Sequence, residues 1–308
     1  MVYAFLFILL VGIFLSGMMI LRRGLFQLSA DSMRGWLARM TGTPLKGLLA
    51  GTLVTAILHS SSAVMVITIG LISAGMLTFR QSIGIILGSN IGTTFTLELI
   101  TINLDVFIVP LAIIGAVLIL ARKEQHRNIG QILFGMAAVF AAMRGFSYLA
   151  GPLTSLPVVE QWLAQLNDSL LYSLGAGTVI TAIIQSSTAM SGILMGFLSE
   201  GTMQFSAAVA AMLGANIGTC VTALLASAGA GKEARLTAYA HLWLNIAGTL
   251  AFLPFIDDYA LIAPMTADRM EVQLAHASVL FNIVSSLLVL PFADRFGRMI
   301  IILHGNKN

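Results

Sequence analysis

The chain has 308 residues, 58% of them hydrophobic and 9% charged, and its mean hydropathy is +0.94. Soluble domains carry about 25% charged residues, so the composition excludes a soluble globular domain and predicts an integral membrane protein. The net charge of +3 comes from basic residues scattered at segment ends, which leaves no nucleic-acid footprint, and the single Cys220 excludes an internal disulfide and a thiolate metal cluster.

A membrane-crossing helix needs roughly 20 apolar residues. Residues 2–21 meet this. The run lacks a basic leader and ends at Arg22-Arg23, which reads as a retained helix rather than a cleaved signal. Residues 26–40 mix Asp31, Arg34 and Arg39 with Leu28, Met33, Trp36 and Leu37, the pattern of an amphipathic helix at the interface. Residues 47–77 are too long for one crossing and are split by His59-Ser60-Ser61-Ser62, which predicts a re-entrant helical hairpin. Residues 79–100 cross, with a break expected at Asn90-Ile91-Gly92-Thr93. Residues 104–121 cross back, with a kink expected at Pro110, and Arg122, Lys123 and Arg127 mark a loop.

The order then repeats: a helix over 129–148, an amphipathic segment over 152–166, a hairpin over 172–203, and crossings over 205–226 and 236–256. One more helix, 272–292, closes the chain. The organisation expected is a first repeat over 1–126, a second over 127–258, and a final transmembrane helix with a cytoplasmic tail over 259–308. The fold class is therefore an all-α integral membrane protein with about seven transmembrane helices and two re-entrant hairpins.

The duplication is explicit. GTLVTAILHSSSAVMVITIGLISAG (51–75) aligns with GTVITAIIQSSTAMSGILMGFLSEG (177–201), and LGSNIGTTFT (87–96) with LGANIGTCVT (213–222), at a constant offset of 126 residues. Without a gap, 20 of the 48 positions from 51 to 98 are identical, which chance does not produce. Counting each hairpin as zero crossings puts 14 of the 16 basic residues on one side and leaves only Arg144 and Arg269 on the other. That sorting makes the repeats inverted. By the positive-inside rule it places the amino terminus outside and the carboxyl terminus in the cytoplasm. Interrupted apolar segments in corresponding positions of two halves point to a transporter's binding site.

Non-helical backbone at membrane depth must be satisfied by protein or by a water-filled cavity. A half-helix starting at Ser60 or Ser186 aims free N–H groups and a partial positive charge at that position, which suits an anion. The amide oxygen of Gln185, the hydroxyls of Thr219 and Thr222, and carbonyls freed at the Asn-Ile-Gly-Thr break are hard oxygen donors suited to Na⁺. The plainer reading is that such hydroxyls bond their own helices and such glycines serve packing; two copies at one offset in inverted halves weigh against it.

The duplicated Q-S-S-[ST] tip followed by G-x-N-I-G-T resembles the type II sodium–phosphate cotransporter family, as do His241…Asn245 and Leu280-Phe281-Asn282. The resemblance covers almost the whole chain. It implies an inverted-repeat transporter that couples Na⁺ to inorganic phosphate by alternating access in the plasma (inner) membrane. Carried over by position, Ser60, Ser61, Ser62, Ser186, Ser187 and Thr188 would bind phosphate. His59, Asn90, Thr93 and Asn216 would line the site, and Gln185, Thr219 and Thr222 would hold Na⁺. No cofactor beyond the coupling ion is implied. The partners expected are phosphate, Na⁺ and the bilayer, with a homodimer allowed and no nucleic acid. His59 departs from the family's Gln, and an imidazole is a poor Na⁺ ligand that can titrate near neutral pH. The soluble carboxyl-terminal domain of some relatives is not expected, as the chain ends sixteen residues after its last helix.

Glu98 is an acid inside an apolar run and so a functional candidate, although it also lies close enough to the outer end to snorkel; its counterpart is Leu224. His241 and His276 read as structural groups, and Arg144 as an interfacial anchor that could assist an approaching anion. A serine hydrolase is disfavoured, since a histidine adjacent to its serines supplies no nucleophile–base geometry and no G-x-S-x-G is present. A passive anion channel would use the same dipoles but has no need of the repeat. Transport of another oxyanion, or proton coupling through His59 and Glu98, remains the main alternative.

Overall fold

The computed structural model describes residues 2–39 and 41–305, with side chains left aside at 30–34, 38 and 39. Its described residues are helical, joined by turns and bends, and contain no strand. In chain order the helices are α1 (Val2–Arg39), α2 (Pro44–Leu58), α3 (Ser61–Ser73), α4 (Phe79–Thr101), α5 (Ile108–Ile119), α6 (Glu124–Thr154) and α7 (Pro157–Asp168). There follow α8 (Leu170–Ile184), α9 (Ser187–Ser199), α10 (Phe205–Ser227), α11 (Lys232–Phe252), α12 (Ile256–Ile262), α13 (Met270–Val289) and α14 (Ala293–His304). Among the described residues, six stretches are long and apolar enough to cross a membrane: Val2–Ser29, Phe79–Thr101, Glu124–Thr154, Phe205–Ser227, Lys232–Met265 and Met270–His304. The segment expected to cross at 104–121 is shorter. With its leading 3-10 turn it runs Asp105–Ile119, about 22 Å at 1.5 Å per residue, against a hydrocarbon core of about 30 Å.

Both expected hairpins are present as pairs of short helices, α2–α3 and α8–α9, each interrupted at its polar tip. Their local chemistry repeats with the offset of the sequence. Thr43 caps α2 by accepting from the Lys46 N–H at 3.3 Å, and Ser169 caps α8 by accepting from the Tyr172 N–H at 3.3 Å. Helices α4 and α10 begin at Phe79 and Phe205 and are both 23 residues long.

The chain packs as two units that draw on both sequence repeats. The first comprises 1–29, 97–215 and 255–277, and the second 30–96, 216–254 and 278–308. In the second unit α2 lies directly on α4. A Cβ at Gly88 would overlap the Leu48 carbonyl oxygen, and Thr52 Oγ1 donates to the Gly88 carbonyl at 3.1 Å. In the first unit α8 lies on the opening turns of α10 by the same device: a Cβ at Gly214 would overlap the Leu174 carbonyl oxygen, and Thr178 Oγ1 donates to the Gly214 carbonyl at 3.1 Å. The first unit also packs α6 against α5 and α9.

Four expectations need correction. Helix α4 runs unbroken through Asn90-Ile91-Gly92-Thr93, and α10 through its equivalent, so no carbonyl is freed there. Gly92 serves close packing instead: a Cβ on it would fall 2.5 Å from Thr55 Cβ and 2.6 Å from the Thr52 carbonyl oxygen. The 26–40 segment is no separate interfacial helix as far as Arg39, because α1 continues through it with no Pro to end it; Met40 lies outside the described residues. Its second-repeat equivalent does separate, since Pro157 opens α7 at N1, where its missing N–H costs nothing. Pro110 falls in the first turn of α5, where it starts a helix rather than kinking one. Finally, the tail holds a helix of its own, α14, which buries Ala293, Gly297 and Ile300 and points Arg295 and Arg298 elsewhere.

The glycine contacts yield a test. Gly88→Ala and Gly214→Ala should each destabilise the protein by about 1–3 kcal/mol, because two helix backbones must separate to admit a methyl group. Gly70→Ala, whose Cβ would meet nothing within 4 Å, should be neutral or slightly stabilising. Thermal unfolding of the purified variants in detergent measures this, and equal melting temperatures for all three would contradict the packing.

Candidate functional site

The two tips have the same backbone. His59 adopts φ 49°, ψ 36°, and Gln185 adopts φ 53°, ψ 32°. These are the only non-glycine residues with positive φ among those described. Left-handed backbone costs a residue with a Cβ of order 1–3 kcal/mol unless its surroundings enforce it, and here it reverses the chain between half-helices. The following serine is extended, at φ −159° for Ser60 and −146° for Ser186. Each serine is an N-cap rather than a first helical residue. Ser60 Oγ accepts from the Ala63 N–H at 3.1 Å, and Ser186 Oγ from the Ala189 N–H at 3.2 Å. Helices α3 and α9 therefore start one residue later than the sequence suggests, at Ser61 and Ser187.

This arrangement gives each tip two electrostatic ends. The N–H groups of Ser61 and Ser62, and of Ser187 and Thr188, have no intrahelical acceptor because they lie in a first turn. The positive ends of α3 and α9 therefore face the tips, together with serine and threonine hydroxyls that can donate. The last carbonyls of α2 and α8 present the negative ends. Ser60, Ser61, Ser186 and Thr188 are buried, Ser62 and Ser187 half-buried, and Gln185 exposed.

The second unit gathers the first tip with most of the expected lining residues. The His59 ring lies 3.0 Å from Thr96 Oγ1 through Nδ1, so the imidazole is anchored to α4. Asn90 Nδ2 donates to Asn245 Oδ1 at 3.3 Å, and Asn245 Nδ2 donates to the His241 carbonyl at 2.9 Å and to Cys220 Sγ at 3.4 Å. The Cys220 thiol donates in turn to the Asn216 carbonyl at 3.4 Å. Asn90 and the Asn216 backbone carbonyl thus belong to one polar chain across α4, α11 and α10. Thr93 is spent on its own helix, donating to the Ser89 carbonyl at 2.9 Å. Thr222 Oγ1 is buried without a hydrogen-bond partner. Gln185 belongs to the first unit, and Thr219 and Thr222 to the second.

Two polar residues of these units escaped the sequence reading. Thr55 and Thr181, 126 residues apart and one turn before the left-handed residue of each tip, are fully buried with unpartnered hydroxyl oxygens. Their signal was present, as a threonine kept at the same place in both copies. Asn282 is buried, with Oδ1 unpartnered and Nδ2 donating to the Ser278 carbonyl at 2.9 Å.

In the first unit Glu98 is more than a snorkelled acid. Its Oε2 lies 3.8 Å from His276 Nε2, while its Oε1 is buried without a partner. Arg144 pairs with Asp105 at 2.8 Å and donates to Tyr148 Oη at 3.0 Å. It shares a cavity of about 260 Å³ with Arg269, which is paired to Glu271 at 2.7 Å and donates to the Thr101 carbonyl at 3.1 Å. The two arginines that charge counting set apart from the other fourteen basic residues are thus in one cavity.

The chain is similar to proteins of a known family. The Na⁺/Pi-cotransporter family model matches residues 13–148 and 154–263. The uncharacterized protein YqeW of Bacillus subtilis is 43% identical over 250 residues, 81% of each chain. YjbB of Escherichia coli, named as a candidate inorganic phosphate export protein, is 25% identical over 247 residues, which are 80% of this chain and 46% of that one. The chain therefore spans about half the length of YjbB. Human sodium-dependent phosphate transport protein 2B is 40% identical over 74 residues, 23% of this chain and 11% of its own. No solved structure matches. With its model matched along most of the sequence and six helical stretches of spanning length, the chain belongs to the Na⁺/Pi-cotransporter family: it is a multi-pass membrane transporter and not an enzyme.

Proposed function

We propose that this protein is a secondary transporter of the cell membrane that couples Na⁺ to the movement of inorganic phosphate by alternating access. The observation that carries the reading is the duplicated tip, in which a left-handed residue and a capping serine aim the positive end of one half-helix, and the negative end of another, at the same place. Phosphate would take the free N–H groups and hydroxyls of Ser61, Ser62, Ser187 and Thr188, with Ser60 and Ser186 holding those helices in register. Na⁺ would take the amide oxygen of Gln185 with Thr219 and Thr222. Their hydroxyls, with the carbonyls at the half-helix ends, replace the freed carbonyls that an unbroken α10 does not offer. The repeats are inverted, the hairpins re-entrant, and the amino terminus outside; the charge sorting supports all three. Na⁺ binds first and completes the phosphate site, and the repeats then rock to open it to the other side.

The relative named for export leaves the direction to the gradient. Proteoliposomes holding the purified protein should accumulate radiolabelled phosphate above equilibrium under an inward Na⁺ gradient and not under an equal K⁺ gradient, and should lose it when the Na⁺ gradient is reversed. Uptake indifferent to Na⁺ would remove the coupling.

The tip geometry separates the roles of its residues. Ser61→Ala and Ser187→Ala should raise the phosphate KM several-fold with unchanged thermal stability. Ser60→Ala and Ser186→Ala should also lose about 1 kcal/mol of stability with the cap. Gln185→Gly keeps the left-handed turn at no steric cost and should weaken Na⁺ activation alone. Unaltered kinetics in all five variants would remove the tips from the site.

The Glu98–His276 pair favours a second reading, proton coupling. On the Na⁺ reading, Glu98→Gln and His59→Gln both retain Na⁺-driven uptake. Loss of uptake in Glu98→Gln, together with uptake driven by a pH gradient in the unsubstituted protein, would establish the second reading instead.

A further inference from the structure

At the amino-terminal end of α11, in the second unit, a small notch of about 30 Å³ is lined by Lys232, Arg235, Leu236, Tyr239 and His304. That volume is about the size of one water, enough to seat the tip of an oxyanion. The polar lining is rich in donors: an ammonium, a guanidinium, a phenol and an imidazole. No carboxylate lines it. Glu233, which lies between the two cations in sequence, is engaged elsewhere, its Oε2 accepting from the Phe79 N–H at 2.9 Å.

Two further features sharpen the chemistry. His304, the last residue of α14, is held from two sides: Tyr239 stacks on it with centroids 4.1 Å apart and planes 13° apart, and Trp243 Nε1 donates to its Nε2 at 2.8 Å. An Nε2 that accepts leaves Nδ1 to carry the ring proton, so the imidazole is fixed as a donor. Lys232 and Arg235 occupy the first turn of α11, whose N-cap Gly231 supplies no side-chain acceptor. Cations at a helix amino terminus oppose the helix dipole, and an anion bound there would offset both.

We propose that this notch binds a phosphate-bearing anion, in the membrane the headgroup of an acidic phospholipid. Lys232 opens a helical stretch of spanning length, which puts the notch at the level where headgroups lie, and basic pockets at such ends bind anionic lipid. On α14 the neighbouring Ile302 and Leu303 are exposed apolar residues, 76% and 49% accessible, which suits an adjoining acyl chain. The site is separate from the transport tips, and its existence does not depend on the transport reading.

The test is lipid binding to the full-length protein in detergent, followed by native mass spectrometry with dioleoylphosphatidylglycerol, dioleoylphosphatidylcholine and inorganic phosphate. Phosphatidylglycerol should bind, and the Lys232→Gln/Arg235→Gln variant should bind it about tenfold or more weakly. Phosphatidylcholine should bind weakly to both. Trp243→Phe, which keeps every cation but releases His304, should show a smaller loss. Displacement of phosphatidylglycerol by inorganic phosphate would assign the notch to free phosphate as well as lipid. Equal binding of phosphatidylglycerol and of phosphate by the unsubstituted and double-variant proteins would overturn the proposal; should the double variant not fold, Arg235→Gln alone decides it by the same criterion.

Discussion

Each hairpin is fastened to the helix that follows it by a contact that only glycine permits. At Gly88 and at Gly214 the backbone of one helix rests on a carbonyl of another, and a threonine hydroxyl spans the same crossing. Association of helices in lipid gains little from hydrophobic burial and relies on close van der Waals packing and hydrogen bonds, so these crossings set where the tips lie. The strained His59 and Gln185 conformations persist because the half-helices on either side of them are held in place.

The tips then solve a problem of solvation. A chain that reverses inside an apolar segment exposes N–H groups at the start of one helix and carbonyls at the end of another. In hydrocarbon each such group is costly unless protein or water satisfies it. Ser60 and Ser186 take up one N–H each; the N–H groups of Ser61, Ser62, Ser187 and Thr188 remain, with hydroxyls beside them. The unpaired N–H groups leave partial positive charge at each tip without any lysine or arginine, and the carbonyl ends opposite them leave partial negative charge.

The charged residues do a different job. Arg144 and Arg269 are each committed to a carboxylate and to a second acceptor in one cavity of the first unit. Lys232 and Arg235 share a notch whose lining includes no acid. The contrast separates arginines paired with carboxylates from two cations that share a notch lined by no acid, a distinction that residue counts cannot make.

The sequence by itself determined the membrane class, the duplication at 126 residues, the hairpin breaks and the identity of the tip residues, because these depend on composition and on local backbone chemistry. A repeat at constant offset is visible without coordinates, and the polar tips interrupt otherwise apolar runs. It misread the Asn-Ile-Gly-Thr segment as a second break, since glycine that ends a helix and glycine that admits another helix look alike in sequence. Gly92 is of the second kind because Thr52 and Thr55 lie against it. The pairing of His59 with Thr96, of Asn90 with Asn245 and of Glu98 with His276, and the donor-rich notch between α11 and α14, join residues from 37 to 178 positions apart. Only the tertiary structure decided these, since the sequence specifies a helix face but the partner it meets depends on how all the helices pack.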